Sequence, residues 1–388
     1  MKKQLILGLA ILASVFSCTT DDTSDIVINS TTNNTTGGGG ETDPATIFLS
    51  GTYTEDLTLD ANNTYKINGS LIMASGTTLT IPPCMTIEAL SSGADVYVAI
   101  SQGAKIIANG TASCPIVFTS DSSNPLAGDW GGLILLGKAP INSVTGTATA
   151  TSEIASLPYG GNTANDNSGS LSYVRVEYSG GAADGQSENN GFSFYGVGNG
   201  TTVNHIQAIE GKDDGIEFFG GTVNASFISV INAEDDSVDW TEGFSGTLTD
   251  VYISNRATDD KAIEADGYNT DFSNATGVFS KPTLNNVTIV GEGSANSSEA
   301  VRLRAGTQGI FSNIHITGYA EGFDLDDLDT GNGVVSDDLQ VTGVTFVDVT
   351  LNMKNDTTVT FTIADFYTNE GTATGTDYTT WGANWTVQ

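Results

Sequence analysis

Leu248-Thr249-Asp250-Val251-Tyr252-Ile253 and Leu284-Asn285-Asn286-Val287-Thr288-Ile289 decide the fold. Both read apolar-x-x-apolar-x-apolar, and the pattern recurs at Leu171/Val174/Val176, Phe311/Ile314/Ile316 and Val341/Val344/Phe346. Weaker copies end at Ile206 and Ile228. A second pattern, apolar-x-apolar beside glycine, runs between the copies: Phe192-Ser193-Phe194, Ile216-Glu217-Phe218, Val238-Asp239-Trp240, Ile263-Glu264-Ala265, Val301-Arg302-Leu303 and Phe323-Asp324-Leu325. Alternation with period two means strand, and Gly, Asn and Asp turns divide segments too short for helices. Such short strands bury a face only when like residues stack on like residues. The expected fold is all-β: a single-stranded right-handed parallel β-helix over residues 48–388. Ile206, Ile228, Ile253, Ile289 and Ile316 are expected to form one inward column. The long interval between the second-pattern copies at 263 and 301 leaves room for an extra loop around Tyr268 to Phe279.

The chain ahead of this body is different in kind. Lys2 and Lys3 precede an apolar run, Leu5 to Phe16, of signal-peptide length and too short to span a bilayer. Ser17-Cys18 closes it and resembles a bacterial lipobox, which implies a signal peptide over 1–17 and lipidation of Cys18. Residues 18–47, ending in Gly37-Gly38-Gly39-Gly40, are too polar to bury a core and read as a tether. The acidic pair Asp21-Asp22 is similar to export signals of some Gram-negative lipoproteins. The expected location is therefore the outer membrane, lipid-anchored and facing the cell exterior, with the acyl chains as the only membrane contact.

Charge limits the partners. Thirteen Lys and Arg against 46 Asp and Glu give −33. Loss of Lys2 and Lys3 takes this to −35 (−33 minus 2). Such a surface repels nucleic acid and anionic headgroups and attracts cations such as Ca²⁺. A polyanionic ligand then needs a bridging cation. Cys84 and Cys114 each stand just before an apolar strand, about one coil apart. Stacked strands lie about 4.8 Å apart, within disulfide range. In an oxidising compartment they are expected to pair, the alternative being two buried thiols.

Thr78-Leu79-Thr80-Ile81, Pro115-Ile116-Val117-Phe118 and Gly128-Asp129-Trp130-Gly131-Gly132-Leu133-Ile134 resemble the opening coils of pectate-lyase-like β-helix surface lipoproteins. The resemblance extends through Glu217-Phe218-Phe219-Gly220-Gly221 to Trp381 and Trp385. It implies the fold strongly and an activity weakly, since β-helices host lyases, hydrolases, adhesins and passive binders.

Three groups of outward residues could carry chemistry. The middle residues of the second pattern form the column Ser193, Glu217, Asp239, Glu264, Arg302, Asp324, beside the turn pairs Asp213-Asp214, Asp235-Asp236 and Asp259-Asp260. Stacked carboxylates repel unless solvated or bridged, and Ca²⁺ takes six to eight oxygens. Glu217, Asp239, Glu264, Asp213, Asp235 and Asp259 are the candidate ligands; the alternative is a row of solvated turn acids. Lyases of this fold resemble the layout, which would make Arg302 or Lys261 the catalytic base near a metal-bound uronate. The alternative is that Arg302 balances Glu264 and Asp324. Arg175, His205, Phe227 and Tyr252 form the third group, a candidate glycan-binding strip unless a loop or the C-terminal tail covers it. The run from Asp324 to Asp329 is a further, weaker Ca²⁺ candidate. A hydrolase reading lacks the Gly-His-Gly element of β-helix hydrolases, because the two histidines are His205 and His315. Two functions remain: a non-catalytic surface glycan binder or adhesin, and a Ca²⁺-dependent polysaccharide lyase. A purely structural surface role is compatible with the same residues.

Overall fold

The structure is a computed structural model that describes residues 44–142, 149–183, 188–269 and 278–388. The signal peptide, Cys18 and the tether lie outside the described residues, as does most of the loop between Tyr268 and Phe279. The chain forms a right-handed parallel β-helix whose strands pair in parallel from Thr46–Tyr53 to Tyr367–Glu370. A small antiparallel hairpin, Ala150–Thr151 with Pro158–Tyr159, stands outside the stack. Among the described residues, no helix is long and apolar enough to cross a membrane.

The core is a set of vertical columns. One runs Tyr65, Ile87, Phe118, Val176, Ala208, Val230, Ile253, Ile289, Ile316, Phe346, each paired with the next. Its neighbour contains Ile116, Val174, Ile206, Ile228, Val251, Val287, Ile314 and Val344. On a second sheet, Leu135, Phe194, Phe218, Trp240, Ala265, Leu303 and Leu325 stack likewise. Phe194 and Phe218 lie 5.1 Å apart and near parallel, so one coil's ring is the floor for the next.

The single inward column expected from Ile206 to Ile316 is in fact two. Ile206 and Ile228 stack on Val251, while Ile253 stacks on Val230 and Ala208. The two weak copies are thus Val203/Ile206/Ala208 and Ala225/Ile228/Val230, two residues out of the expected phase. Ala208 and Ala225 are too small to mark an apolar position against the larger isoleucines. The backbone fixes the phase. In each copy the residue before the middle apolar position has positive φ: Tyr173, His205, Phe227, Asp250, Asn286, Asn313 and Gly343, between 50° and 75°. This left-handed residue gives the three-then-two spacing, and Asn, Asp and Gly adopt it most readily.

Cys84 and Cys114 form a disulfide with Cα atoms 4.3 Å apart. It ties two adjacent coils at the N-terminal end, beside the pairing of Thr86–Ala89 with Ile116–Ser120.

Candidate functional site

The second-sheet column has the expected register: Ser193, Glu217, Asp239, Glu264, Arg302 and Asp324 pair in order, and Asp324 then pairs with Lys354. The turns preceding these strands bring more acids to the same face. Asp214, Glu217 and Asp239 place a carboxylate oxygen each within 4.8 Å of one another. So do Asp213, Asp214 and Asp235, and likewise Asp236, Asp239 and Glu264. The result is a continuous acidic ladder over three coils. Asp214 and Asp236, missed as ligands by sequence reasoning, join its clusters; both are almost wholly buried. The doubled aspartates were visible in the sequence, but which member of each pair faces inward was not.

Few donors serve these oxygens. Asn190 Nδ2 donates to Glu217 Oε2 at 2.7 Å, and the amide of Asp236 donates to Asp214 Oδ1 at 3.0 Å. Asp239 Oδ1 is shielded from solvent without a hydrogen-bond partner. Burial pushes the Asp213 carboxyl up to about 8, helped by Glu188 and Asp235. Burial and neighbouring acids likewise hold Asp214, Glu217, Asp236 and Asp239 well above the usual carboxylate range. Asp259 stands apart from this ladder: its carboxylate is held by Arg256, with Nε 3.0 Å from Oδ1.

Among the described residues, positive charge meets the ladder only at its C-terminal end. Lys261 Nζ lies 2.6 Å from Asp260, 3.1 Å from Glu264 and 3.7 Å from Asp236. Burial alone would lower its pKa, but Asp236, Glu264 and Asp260 outweigh burial and raise it. An ammonium stabilised in this way is a poor base. Arg302 binds Glu299 at 3.3 Å and Asp326 at 2.5 Å, rather than Glu264 and Asp324. Arg304 pairs with Glu264, and with Asp266 at 2.7 Å. The run from Asp324 to Asp329 does not act as one loop: Asp324 gathers with Glu299 and Glu321, while the residues after it are engaged elsewhere. Asp326 holds Arg302, and Asp327 caps the helix Leu328–Val335 by accepting from the amides of Asp329 and Thr330.

The aromatic strip is covered. His205 and Phe227 belong to the left-handed column with Tyr173, whereas Arg175 and Tyr252 belong to the neighbouring one with Gln207 and Ser229. The C-terminal tail lies across both. Tyr378 stacks on Tyr252 at 3.8 Å, Trp381 leans on Phe227 at 5.7 Å, and Trp385 meets Tyr173 and His205 edge-on. Arg175 Nη1 donates to the Trp385 carbonyl at 2.7 Å, and Gln207 exchanges two hydrogen bonds with Val387. These four residues therefore present no open sugar platform; the chain's own tail occupies them.

The geometry and the family model agree on the fold. A family model described as a pectate-lyase-like β-helix domain matches residues 51–386. The chain belongs to the pectate-lyase-like β-helix family. No curated protein matches the sequence. Among solved structures, the Dettilon tailspike protein is similar at 11% identity and a TM-score of 0.20, over 76% of this chain. The chain spans 62% of that protein's length.

Proposed function

We propose that this protein is a non-catalytic, lipid-anchored surface protein of the outer membrane that holds Ca²⁺ on its acidic ladder and binds carboxylate-bearing glycans through the ion. One observation carries the reading. Carboxylates from three successive coils converge on one face, and one of their oxygens, Asp239 Oδ1, is shielded with no donor. Such a cluster needs protons or a cation to be stable. Asp214, Glu217 and Asp239 offer the hard oxygen donors that Ca²⁺ prefers, and water or a ligand's carboxylate would complete its six to eight positions. A chain of net charge −33 repels a polyanion unless a cation stands between them.

The non-catalytic part rests on the bases. Lys261 and Arg302, the two residues suited to remove a proton in a lyase, are both engaged by carboxylates that keep them charged. The surface location rests on the lipobox-like Ser17-Cys18 and on Asp21-Asp22.

The test is sedimentation of the protein with insoluble calcium-free polygalacturonate, in EDTA and then in Ca²⁺. Binding in Ca²⁺ only, lost in Asp214→Asn/Asp239→Asn, with no unsaturated product in the supernatant, is expected. Binding in EDTA would remove the cation bridge, and unsaturated uronate products would restore the lyase. Palmitate labelling of the full chain and of Cys18→Ala tests the anchor; equal labelling would refute it.

A further inference from the structure

The acidic ladder ends where one residue changes sign. Ahead of the second sheet the backbone amides of Gly191, Gly215 and Ser237 donate to the carbonyls of Asp214, Asp236 and Lys261. Asn190, Asp214, Asp236 and Lys261 therefore form one vertical column, running beside the column Ser193, Glu217, Asp239, Glu264. The coil of Asn190 and Ser193 carries no charge at these two positions. The next two coils carry a pair of acids each. The coil after them holds Lys261 and Glu264, whose charges cancel.

Lys261 is held in the column as the aspartates below it are. The amide of Asp236 donates to Asp214 Oδ1, and the amide of Lys261 donates to Asp236 Oδ1, both at 3.0 Å. What changes at Lys261 is the group sent to the outer face, an ammonium in place of a carboxylate. Its side chain is 8% exposed, and Nζ lies 3.1 Å from Glu264 Oε1 and 3.7 Å from Asp236 Oδ1. Asp236 and Glu264 belong with Asp239 to one three-carboxylate cluster. An ammonium has three donors, no acceptor and a compact charge, so it serves that cluster as a bound cation would. One coil below, the cluster Asp214, Glu217 and Asp239 has no such group. No Lys or Arg among the described residues lies within ion-pair distance of its carboxylates, Asn190 is a neutral donor to Glu217, and Asp239 Oδ1 has no partner.

We infer that Lys261 is a built-in counter-ion. It takes the place of a divalent cation in the cluster Asp236, Asp239 and Glu264, and so sets where cation binding ends and how many ions the ladder holds. Removing its charge turns that cluster into a further cation site. Arg304 holds Glu264 Oε2, so Oε1 is the oxygen that the ammonium would leave free. The inference rests on the reading of the ladder as a cation site and concerns the boundary of that site.

The experiment counts ions, by equilibrium dialysis of the full chain against radiolabelled Ca²⁺ at pH 7. Lys261→Met should bind one more ion per chain than the unsubstituted protein. Lys261→Arg, which keeps the charge, should bind the same number. So should Lys281→Met, which removes an exposed lysine paired with Asp338. Thermal melts read the same exchange as stability. Lys261→Met should melt below the unsubstituted protein in EDTA and gain more from Ca²⁺, because the extra ion replaces the lost partner of buried carboxylates. Asp214→Lys tests the converse and decides the matter if Lys261→Met does not fold. An ammonium placed lower in the same column should raise the melting temperature in EDTA and abolish the response to Ca²⁺. An unchanged ion count in Lys261→Met would overturn the inference, as would, where that variant does not fold, a lowered melting temperature of Asp214→Lys in EDTA. No ion on the unsubstituted protein and one on Lys261→Met would refute the ladder reading while supporting the inference; none on either would overturn both.

Discussion

The two outer faces of this β-helix obey the same stacking rule and end differently. On the first sheet the stacked residues are aromatic: Tyr173, His205 and Phe227 lie face to face about 4 Å apart, and the chain covers them with its own tail. On the second sheet the stacked residues are Glu217, Asp239 and Glu264, about one strand spacing apart. Stacking multiplies whatever is stacked. Repeated apolar surface gains stability from any cover, and a tail with two tryptophans supplies it. Repeated charge gains nothing from a cover and must be met by counter-charge, protons or a bound cation. Lys261 and Arg304 meet it at one end only.

The sharpest way to break this comparison is to remove the cover. Deleting residues 373–388 strips Tyr378, Trp381 and Trp385 from the aromatic columns and should lower stability more than any single substitution in the tail. Trp385→Ala alone, at a side chain 1% exposed, should lose about 3–5 kcal/mol in denaturant unfolding. If the tail merely rests on the surface, both changes will be small. Removing the clip at the other end, with Cys84→Ser and Cys114→Ser, should cost roughly 3–4 kcal/mol, because it frees a 30-residue loop in the unfolded chain.

The acidic face should respond to pH in the opposite sense from an ordinary salt-bridged surface. Burial and like-charged neighbours raise the folded-state pKa values of Asp213, Asp214, Glu217, Asp236 and Asp239, to about 8 for Asp213 against the 3.8 of an unperturbed aspartate. Between those values the native state binds more protons than the unfolded state, so stability falls as pH rises. Denaturant midpoints in EDTA should therefore decline from about pH 4 to pH 8, and Asp239→Asn should flatten the decline. A midpoint that rises over this range would mean that the acids are solvated or paired.

The repeat made the β-helix legible because each coil restates the same apolar spacing, and the column from Ser193 to Asp324 needed only that spacing. The phase of two coils was not legible. Ala208 and Ala225 carry the inward positions there, and the left-handed residues that mark the phase are His205 and Phe227 rather than the Asn or Asp found at 250, 286 and 313. Partners brought together from other turns were hidden for a related reason. Asp259 does carry a local mark, Arg256 three residues before it, where Asp236 has Ala233, but nothing local shows that Asp236 joins the ladder. The cover over Phe227 and Tyr252 depends on contacts more than a hundred residues away in sequence, which no local pattern encodes.

The central claim is that the acidic ladder is a cation site and not a row of solvated acids. Melting the protein at pH 7 in EDTA, in Ca²⁺ and in NaCl of matched ionic strength tests it most directly. A bound ion stabilises only the native state, by about 2.7 kcal/mol at a hundredfold excess over its dissociation constant. Screening of free carboxylates does not depend on which ion supplies it. The account predicts a melting temperature in Ca²⁺ above that in NaCl, with the difference abolished in Asp214→Asn/Asp239→Asn. Coincident curves in Ca²⁺ and NaCl would contradict it.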